Sequence, residues 1–275
     1  MALKLMYITN RPEIAQIAET AGVDRIFVDL EYIGKFDRQG GMDTVQSHHT
    51  LDDVKRVSSA ITDAELLVRV NPIHDATDEY VSSEEEIFAV IENGADIIML
   101  PFFKTVDEVN RFLKAVNGRA KTMLLLETPE AVEIVDDLVR IEGIDSVHIG
   151  LNDLSLGYGM KFMFELLTDG TVERLCTKFR EHNIPYGFGG IAALGKGMVP
   201  AEMIIKEHYR LGSTCAILSR SFCNVDKIND MGVIVSTFVD GVREIRELEA
   251  ECEKHIGYFI DNKQKLENAV NNIIK

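Results

Sequence analysis

Five ionisable side chains stand where apolar runs of this sequence end. Asp29 and Glu31 follow RIFV, Arg69 ends ELLVR, Glu127 follows MLLL, and Asp153 follows VHIGLN. Two carboxylates on neighbouring strands are suitable ligands for Mg²⁺ or Mn²⁺, which prefer oxygen and keep bound water. The keto and carboxylate oxygens of an α-keto acid can fill two further positions on such an ion. The ion then polarises the carbonyl, and a nearby arginine stabilises the negative oxygen that develops.

Each of these side chains also has a purely structural interpretation. A carboxylate at a strand end commonly caps the next helix. Glu127 fits that role poorly, because Thr128 before Pro129 already has the pattern of an N-cap and a first helical position. A buried carboxylate there needs a cation or strong donors.

Arg69 has two interpretations that do not exclude each other. It can stabilise an oxyanion, and it can form a salt bridge to Asp29 or Glu31. In the metal-site hypothesis these two carboxylates orient water bound to the ion.

The elements that must position these residues are indicated by a recurring phrase. A glycine, an apolar residue, an aspartate and a β-rich run follow a helical segment in AGVDRIFVDL (21–30), NGADIIMLPF (93–102), EGIDSVHIGL (142–151) and, more loosely, RLGSTCAILS (210–219). Four more strands are expected at 3–9, 65–71, 121–127 and 184–190. Runs that are apolar on both faces are typical of parallel strands covered by helices.

Eight strands alternating with helices predict a (β/α)₈ TIM barrel, whose catalytic groups lie at the carboxyl ends of the strands. An open doubly wound sheet is the alternative, but no G-x-G-x-x-G follows the first strand. Thr50 with Asp53 and Thr105 with Glu108 have the spacing of capping boxes. We expect one domain over 1–275, in which 228–275 is a helical extension that packs between subunits.

Composition excludes several classes of function. The 275 residues are 46% hydrophobic and 27% charged, with a net charge of −16. This acidity argues against a nucleic-acid surface, which needs clustered Lys and Arg. No apolar run approaches the roughly 18 residues of a membrane span. The start of the chain lacks a signal-peptide pattern, and the four cysteines form no C-x-x-C pair. A cytoplasmic protein with reduced thiols is expected.

Taken together, these phrases resemble the HpcH/HpaI aldolase and citrate lyase β-subunit family of metal-dependent (β/α)₈ enzymes. The resemblance runs in family order through residues 10–220, and LLLE with IGLNDLS is its specific part. It implies that Glu127 and Asp153 bind Mg²⁺ or Mn²⁺ and that Arg69 contacts the keto or enolate oxygen. It further implies that backbone amides around Asn152 and Asp153, before a helix expected to begin at Leu154, hold the substrate carboxylate.

The same resemblance implies the reaction class. Family members break or form a carbon–carbon bond next to a pyruvate-like or acyl enolate, without a Schiff base. The expected partner is a small keto-acid or aldehyde substrate, and a trimer or hexamer is expected. Neither a nucleic acid nor a membrane is expected as a partner.

One position departs from the aldolase branch of the family. Tyr32 stands where that branch has the histidine that is its usual candidate for proton transfer. The polar insertion at 32–50 offers His48 and His49 instead, and we prefer His49 because it adjoins Thr50, where a helix opens. A helix N-terminus favours the neutral imidazole that a base requires. The alternative is that both histidines are exposed loop residues.

The substrate does not follow from these residues. Lys35 and Arg38 in the insertion are candidates for binding an anionic aldehyde, or are solvated charges. The leading hypothesis is a metal-dependent aldolase or lyase acting on a small hydroxy-keto acid. The alternatives are a citrate- or malyl-type acyl-CoA lyase and a catalytically impaired barrel that binds an oxo acid.

Overall fold

The structure, a computed structural model, describes residues 2–34, 48–254, 257 and 259–275, and its eight parallel strands close into one barrel. Each strand pairs with the next in sequence, and β8 pairs with β1. The predicted (β/α)₈ barrel is therefore confirmed. The strands are β1 Lys4–Ile8, β2 Arg25–Asp29, β3 Glu65–Arg69, β4 Ile97–Leu100, β5 Lys121–Leu126, β6 Ser146–Ile149, β7 Tyr186–Ile191 and β8 Cys215–Leu218.

Helices cover the outside of the barrel and continue beyond β8. In the described residues they are α1 Pro12–Thr20, α2 Leu51–Ser58, α3 Ser83–Glu92, α4 Val106–Val116, α5 Pro129–Glu133, α6 Val135–Leu138, α7 Leu151–Gly157, α8 Glu165–Thr168, α9 Thr171–Glu181, α10 Ala201–Leu211, α11 Met231–Lys254 and α12 Phe259–Ile274. None of these helices is long and apolar enough to cross a membrane.

The residues of the recurring phrase lie at the amino end of the barrel, where they stabilise the starts of the strands. Its glycine adopts a positive φ close to 95° at Gly22, Gly94 and Gly143, a conformation that glycine reaches without strain. Its aspartate then accepts a backbone N–H near the start of the preceding strand: Asp24 from Leu5 at 2.8 Å, Asp96 from Leu66 at 2.7 Å and Asp145 from Thr122 at 2.7 Å. These contacts satisfy backbone donors that the ladder leaves open at the strand starts.

Helix starts follow the sequence signals closely. Thr50 with Asp53 and Thr105 with Glu108 form capping boxes in which side chain and backbone bond reciprocally. Thr128 caps α5 by accepting the N–H of Ala131 at 3.1 Å. Thr128, and not Glu127, therefore caps this helix, as the sequence indicated.

Two apolar cores hold the barrel together. One lies inside the strands, and its members include Met6, Phe27, Leu67, Met99 and Met123. The other fills the layer between strands and helices. The four cysteines are buried and form no disulfide bond.

The C-terminal extension is helical, as predicted, and packs on its own barrel. Helix α11 contacts α1 and α10, and α12 contacts α8 and α10. The Asn262 amide donates to the Met203 carbonyl and the Glu207 carboxylate, both at 3.0 Å. The Lys161 ammonium donates to the Ile274 carbonyl at 3.1 Å. Packing of this extension between subunits stays a prediction.

Candidate active site

Arg69 is clamped at the carboxyl end of the barrel. It ends β3 beside Asp29, its register partner on β2. Its Nε and one terminal nitrogen each donate to one Asp29 oxygen at 2.8 Å, and its other terminal nitrogen lies 3.3 Å from a Glu31 oxygen. This bidentate geometry fixes the plane of the guanidinium.

The electrostatics of Arg69 follow from its carboxylate neighbours. Burial by itself lowers its pKa, but the negative charges of Asp29, Glu31 and then Glu127 hold the pKa well above its ordinary value. The guanidinium is therefore a permanent cation. The predicted salt bridge is present with both carboxylates, and their orientation of metal-bound water stays a prediction.

Asn71 fixes the turn that carries Glu31. Its side-chain oxygen accepts the backbone N–H groups of Tyr32 at 2.8 Å and Ile33 at 3.0 Å. Its amide nitrogen donates to Glu86 at 2.8 Å. The sequence places Asn71 at the end of an expected strand. Nothing in the sequence indicates that Glu86, on α3, is its partner.

Glu127 and Asp153, from neighbouring strand ends, line one cavity of about 590 Å³ and are both buried. One Glu127 oxygen accepts the backbone N–H of Phe102 at 3.1 Å. Phe102 has a φ of 49°, in the left-handed region that residues other than glycine rarely adopt. Such strain persists where surrounding structure enforces it, often at functional sites.

Gly150 leaves room for Glu127. A Cβ at this position would lie 2.7 Å from the Glu127 Cβ and 2.8 Å from one of its carboxylate oxygens. Real side chains do not approach so closely, so only glycine keeps Glu127 in place. The sequence motif contains this glycine, but nothing in the sequence shows what it makes room for.

The segment after β6 differs slightly from expectation. Helix α7 begins at Leu151 instead of Leu154, so Asp153 lies inside its first turn. The exposed Asn152 side chain donates to an Asp153 oxygen at 3.2 Å. Binding of a substrate carboxylate by Asn152 and the neighbouring amides stays a prediction.

The donor set fits a hard divalent ion with two protein ligands. Glu127 and Asp153 offer only carboxylate oxygens, as Mg²⁺ and Mn²⁺ prefer. Among the described residues, no group of three or more His, Cys, Asp and Glu side chains forms a full ligand set. An ion held by this pair would thus take its other ligands from substrate and water, as Mg²⁺ commonly does.

His49 is buried, whereas His48 is exposed. The His49 Nδ1 accepts the backbone N–H of Asp29 at 3.0 Å, which leaves the ring proton of neutral His49 on Nε2. In this tautomer the ring donates a hydrogen bond, so it serves poorly as the base that the sequence suggested. The loop residues Lys35 and Arg38 lie outside the described residues.

A second cavity, of about 320 Å³, opens beside Arg69 and is lined by Asp29 and His49 as well. Its remaining walls come from the ends of β1 and β8, among them Asn10, Arg11, Ser219 and Arg220. These two strand ends gave no signal in the sequence, because neither run carries a carboxylate directly at its end. Closure of the barrel brings them beside β2.

The family model of HpcH/HpaI aldolase/citrate lyase matches residues 4–165. The chain belongs to this family. Members of the family are lyases and generally depend on a divalent metal. The matched stretch spans β1 to the first residue of α8, and it includes every residue that the sequence proposed for the site. No curated protein matches the chain.

Solved structures show the same fold at low sequence identity. An HpcH/HpaI aldolase from Desulfitobacterium hafniense DCB-2 is 16% identical, with a TM-score of 0.60 over 89% of this chain and 93% of that one. A family protein from Burkholderia cenocepacia J2315 is 13% identical, with a TM-score of 0.62 over 89% and 94%. A variant of the citrate synthase SbnG is 15% identical, with a TM-score of 0.57 over 90% and 94%.

Proposed function

We propose that this protein is a divalent-metal-dependent aldolase or lyase that acts on a small hydroxy-keto acid through a pyruvate-like enolate. The observation that carries the proposal is the presence of a clamped arginine and two buried carboxylates at the same end of the barrel. Asp29 fixes the plane of the Arg69 guanidinium, and the negative charge of Glu127 helps to raise the pKa of Arg69. Membership of a lyase family supports the reaction class.

Glu127 and Asp153 are the residues that would hold the ion. A bound Mg²⁺ or Mn²⁺ supplies Lewis-acid polarisation of the keto group. The chain itself holds Glu127 through the Phe102 N–H and the room left by Gly150. This ligand would therefore be in place before substrate arrives.

Arg69 stabilises charge that develops during bond cleavage. The bond to the carbinol carbon breaks, its electron pair moves toward the keto oxygen, and the hydroxyl gives its proton to a water molecule as the aldehyde forms. A fixed guanidinium beside that oxygen lowers the barrier by a few kcal/mol. His49 contributes a donor on Nε2, which suits a hydrogen bond to a substrate oxygen.

Exchange of the pyruvate methyl protons with deuterated water, followed by NMR, tests the proposal. We expect exchange that requires Mg²⁺ or Mn²⁺, stops with EDTA and falls at least about a thousandfold in Glu127→Gln. Glu84→Gln, a surface carboxylate paired with Arg111, is the matched control and should leave the rate unchanged. Metal-independent exchange would refute the proposal.

Metal binding has a readout apart from activity. An ion that binds only the folded chain raises the melting temperature as its concentration rises. We expect Mn²⁺ to stabilise the wild type and to lose this effect in Glu127→Gln and Asp153→Asn. An equal shift in the Glu127→Gln protein would place the ion elsewhere.

The two alternative functions give different results. A citrate- or malyl-type lyase binds CoA thioesters, which calorimetric titration detects. A barrel that binds an oxo acid without turning it over shows metal-dependent pyruvate binding and no exchange.

A further inference from the structure

A third cavity adjoins the candidate site on the side of β2 and β3. It has a volume of about 330 Å³ and lies between the segments that follow these strands and helices α2 and α3. Most of its lining is apolar and is contributed by Leu30, Tyr32, Leu51, Tyr80, Val81 and Val90. His49 lines this cavity and also the cavity that contains Asp29 and Arg69. One imidazole ring therefore borders both spaces.

The polar side chains in this wall are engaged with the protein. Asn71 bonds the turn at Tyr32 and donates to Glu86. One ring nitrogen of His74 lies 2.8 Å from the Pro72 carbonyl and 3.0 Å from the Ser83 hydroxyl, and the other lies 2.8 Å from the Val81 carbonyl. Since these polar groups have partners within the protein, the wall favours a hydrocarbon group over a charged one.

The rim exposes apolar area that a ligand would cover. Val81 is 57% exposed and Tyr80 is 40% exposed, and Leu51 and Tyr32 lie at the same opening with more than a third of their surface in water. Clustered exposed apolar side chains mark binding surfaces. The volume of the cavity falls within the range of about 300–1,000 Å³ that is typical of small-molecule pockets.

We propose that this cavity binds the apolar tail of the aldehyde partner, so that the substrates are hydroxy-keto acids with an aliphatic or aromatic substituent. The inference rests on the proposed function and names its substrate class. In the condensation direction, pyruvate loses a methyl proton to water, and the resulting enolate carbon bonds to the aldehyde carbon. The aldehyde oxygen takes up a proton from water to become the hydroxyl. The tail on that carbon extends past His49 into the apolar cavity.

Pyruvate condensation with a series of aldehydes tests this assignment. Each methylene that leaves water contributes about 0.8 kcal/mol, or roughly a fourfold gain. We expect kcat/KM for the aldehyde to rise by on the order of a hundredfold from acetaldehyde to hexanal. Succinic semialdehyde, which carries a carboxylate at its far end, should react less well than hexanal. A flat series, or a preference for the acidic aldehyde, would overturn the inference while leaving the aldolase function intact.

Variants at the rim sharpen the test. Val81→Ser and Leu51→Ser should lower the ratio of hexanal to acetaldehyde activity by about tenfold, because a polar rim weakens burial of the tail. Val233→Ser on α11, an exposed valine outside all of the cavities described above, is the matched control and should leave the ratio unchanged. An equal loss for both aldehydes would contradict the assignment.

A binding measurement separates this inference from catalysis. Saturation-transfer NMR with hexanol, which cannot react, should show contact with the wild type and reduced contact with Val81→Ser. Binding without condensation would support the cavity and refute the aldolase function. Absence of binding, or a change of oligomeric state in Val81→Ser, would instead refute the cavity as a ligand site.

Discussion

The two ends of the barrel use the same residue types for different purposes. At the amino end, Glu65 accepts Arg25 at 2.9 Å and Lys121 at 2.5 Å, and aspartates bond the starts of neighbouring strands. At the carboxyl end, Asp29 holds Arg69 with a bidentate contact. Both ends therefore contain a partly buried arginine paired with a carboxylate. Residue type alone does not show whether such a pair serves stability or function. The end of the strand at which the pair lies does show it.

The largest expected difference between the two ends is in activity. Arg69→Lys loses the planar, bidentate contact with Asp29 and should lower the rate of pyruvate proton exchange by about a hundredfold to a thousandfold. Arg25→Lys breaks the corresponding contact with Glu65 at the other end and should leave the rate unchanged. Similar losses in both variants would show that the effect of Arg69 is only structural.

Asn71 connects stability to function and should give an intermediate effect. Asn71→Ala leaves the backbone N–H groups of Tyr32 and Ile33 without their acceptor and removes one of the donors to Glu86, which costs about 1–3 kcal/mol of unfolding free energy. It also releases the turn that carries Glu31, so kcat/KM should fall about tenfold to a hundredfold. Chemical denaturation and the exchange assay measure the two effects.

Asn262→Ala is the control for that variant. It removes a buried amide that bonds Met203 and Glu207 in the C-terminal extension, far from the strand ends that carry Arg69. It should cost comparable stability without changing the activity of the folded protein. If Asn71 positions the turn that carries Glu31, only Asn71→Ala should lower the activity per folded molecule.

The smallest effect is expected at the amino end and concerns pH. Burial raises the pKa of Glu65, but hydrogen bonds from Lys121 and Arg25 outweigh it and lower the pKa from its ordinary 4.5 to about 2. A lowered folded-state pKa stabilises the fold above pH 4.5 and loses that contribution as the pH falls toward 2. Glu65→Gln should therefore cost about 1–2 kcal/mol near neutral pH and progressively less in acid.

Urea denaturation at several pH values measures this difference. Activity per folded molecule should be the same in wild type and Glu65→Gln. A stability difference that stays constant down to pH 2 would show that the ionised carboxylate does not stabilise the fold.

The fold could be predicted almost completely from sequence, since its signals are local. Strand runs, the glycine–aspartate phrase and the capping boxes each lie within about ten residues. The strand-end residues of the site followed from the fold, because parallel strands present their carboxyl ends at one face. Asp29, Glu31 and Arg69 do meet there.

The remaining site features depend on contacts between distant segments. The Phe102 N–H reaches Glu127 only through an unusual backbone conformation, which no residue type announces. His49 was a reasonable candidate, but the sequence did not show that its Nδ1 accepts the Asp29 N–H. The apolar cavity is assembled from four segments, and its residues are ordinary in each of them.

The balance of charge at the carboxyl end has a consequence for the order in which ligands arrive. Arg69 carries one positive charge that Asp29, Glu31 and Glu127 share, so the four carboxylates of the predicted site outnumber it. Without a cation, an approaching keto acid meets repulsion from those carboxylates. We therefore expect compulsory ordered addition, in which the cation binds first and the keto acid second, and in which the keto acid leaves before the cation is released.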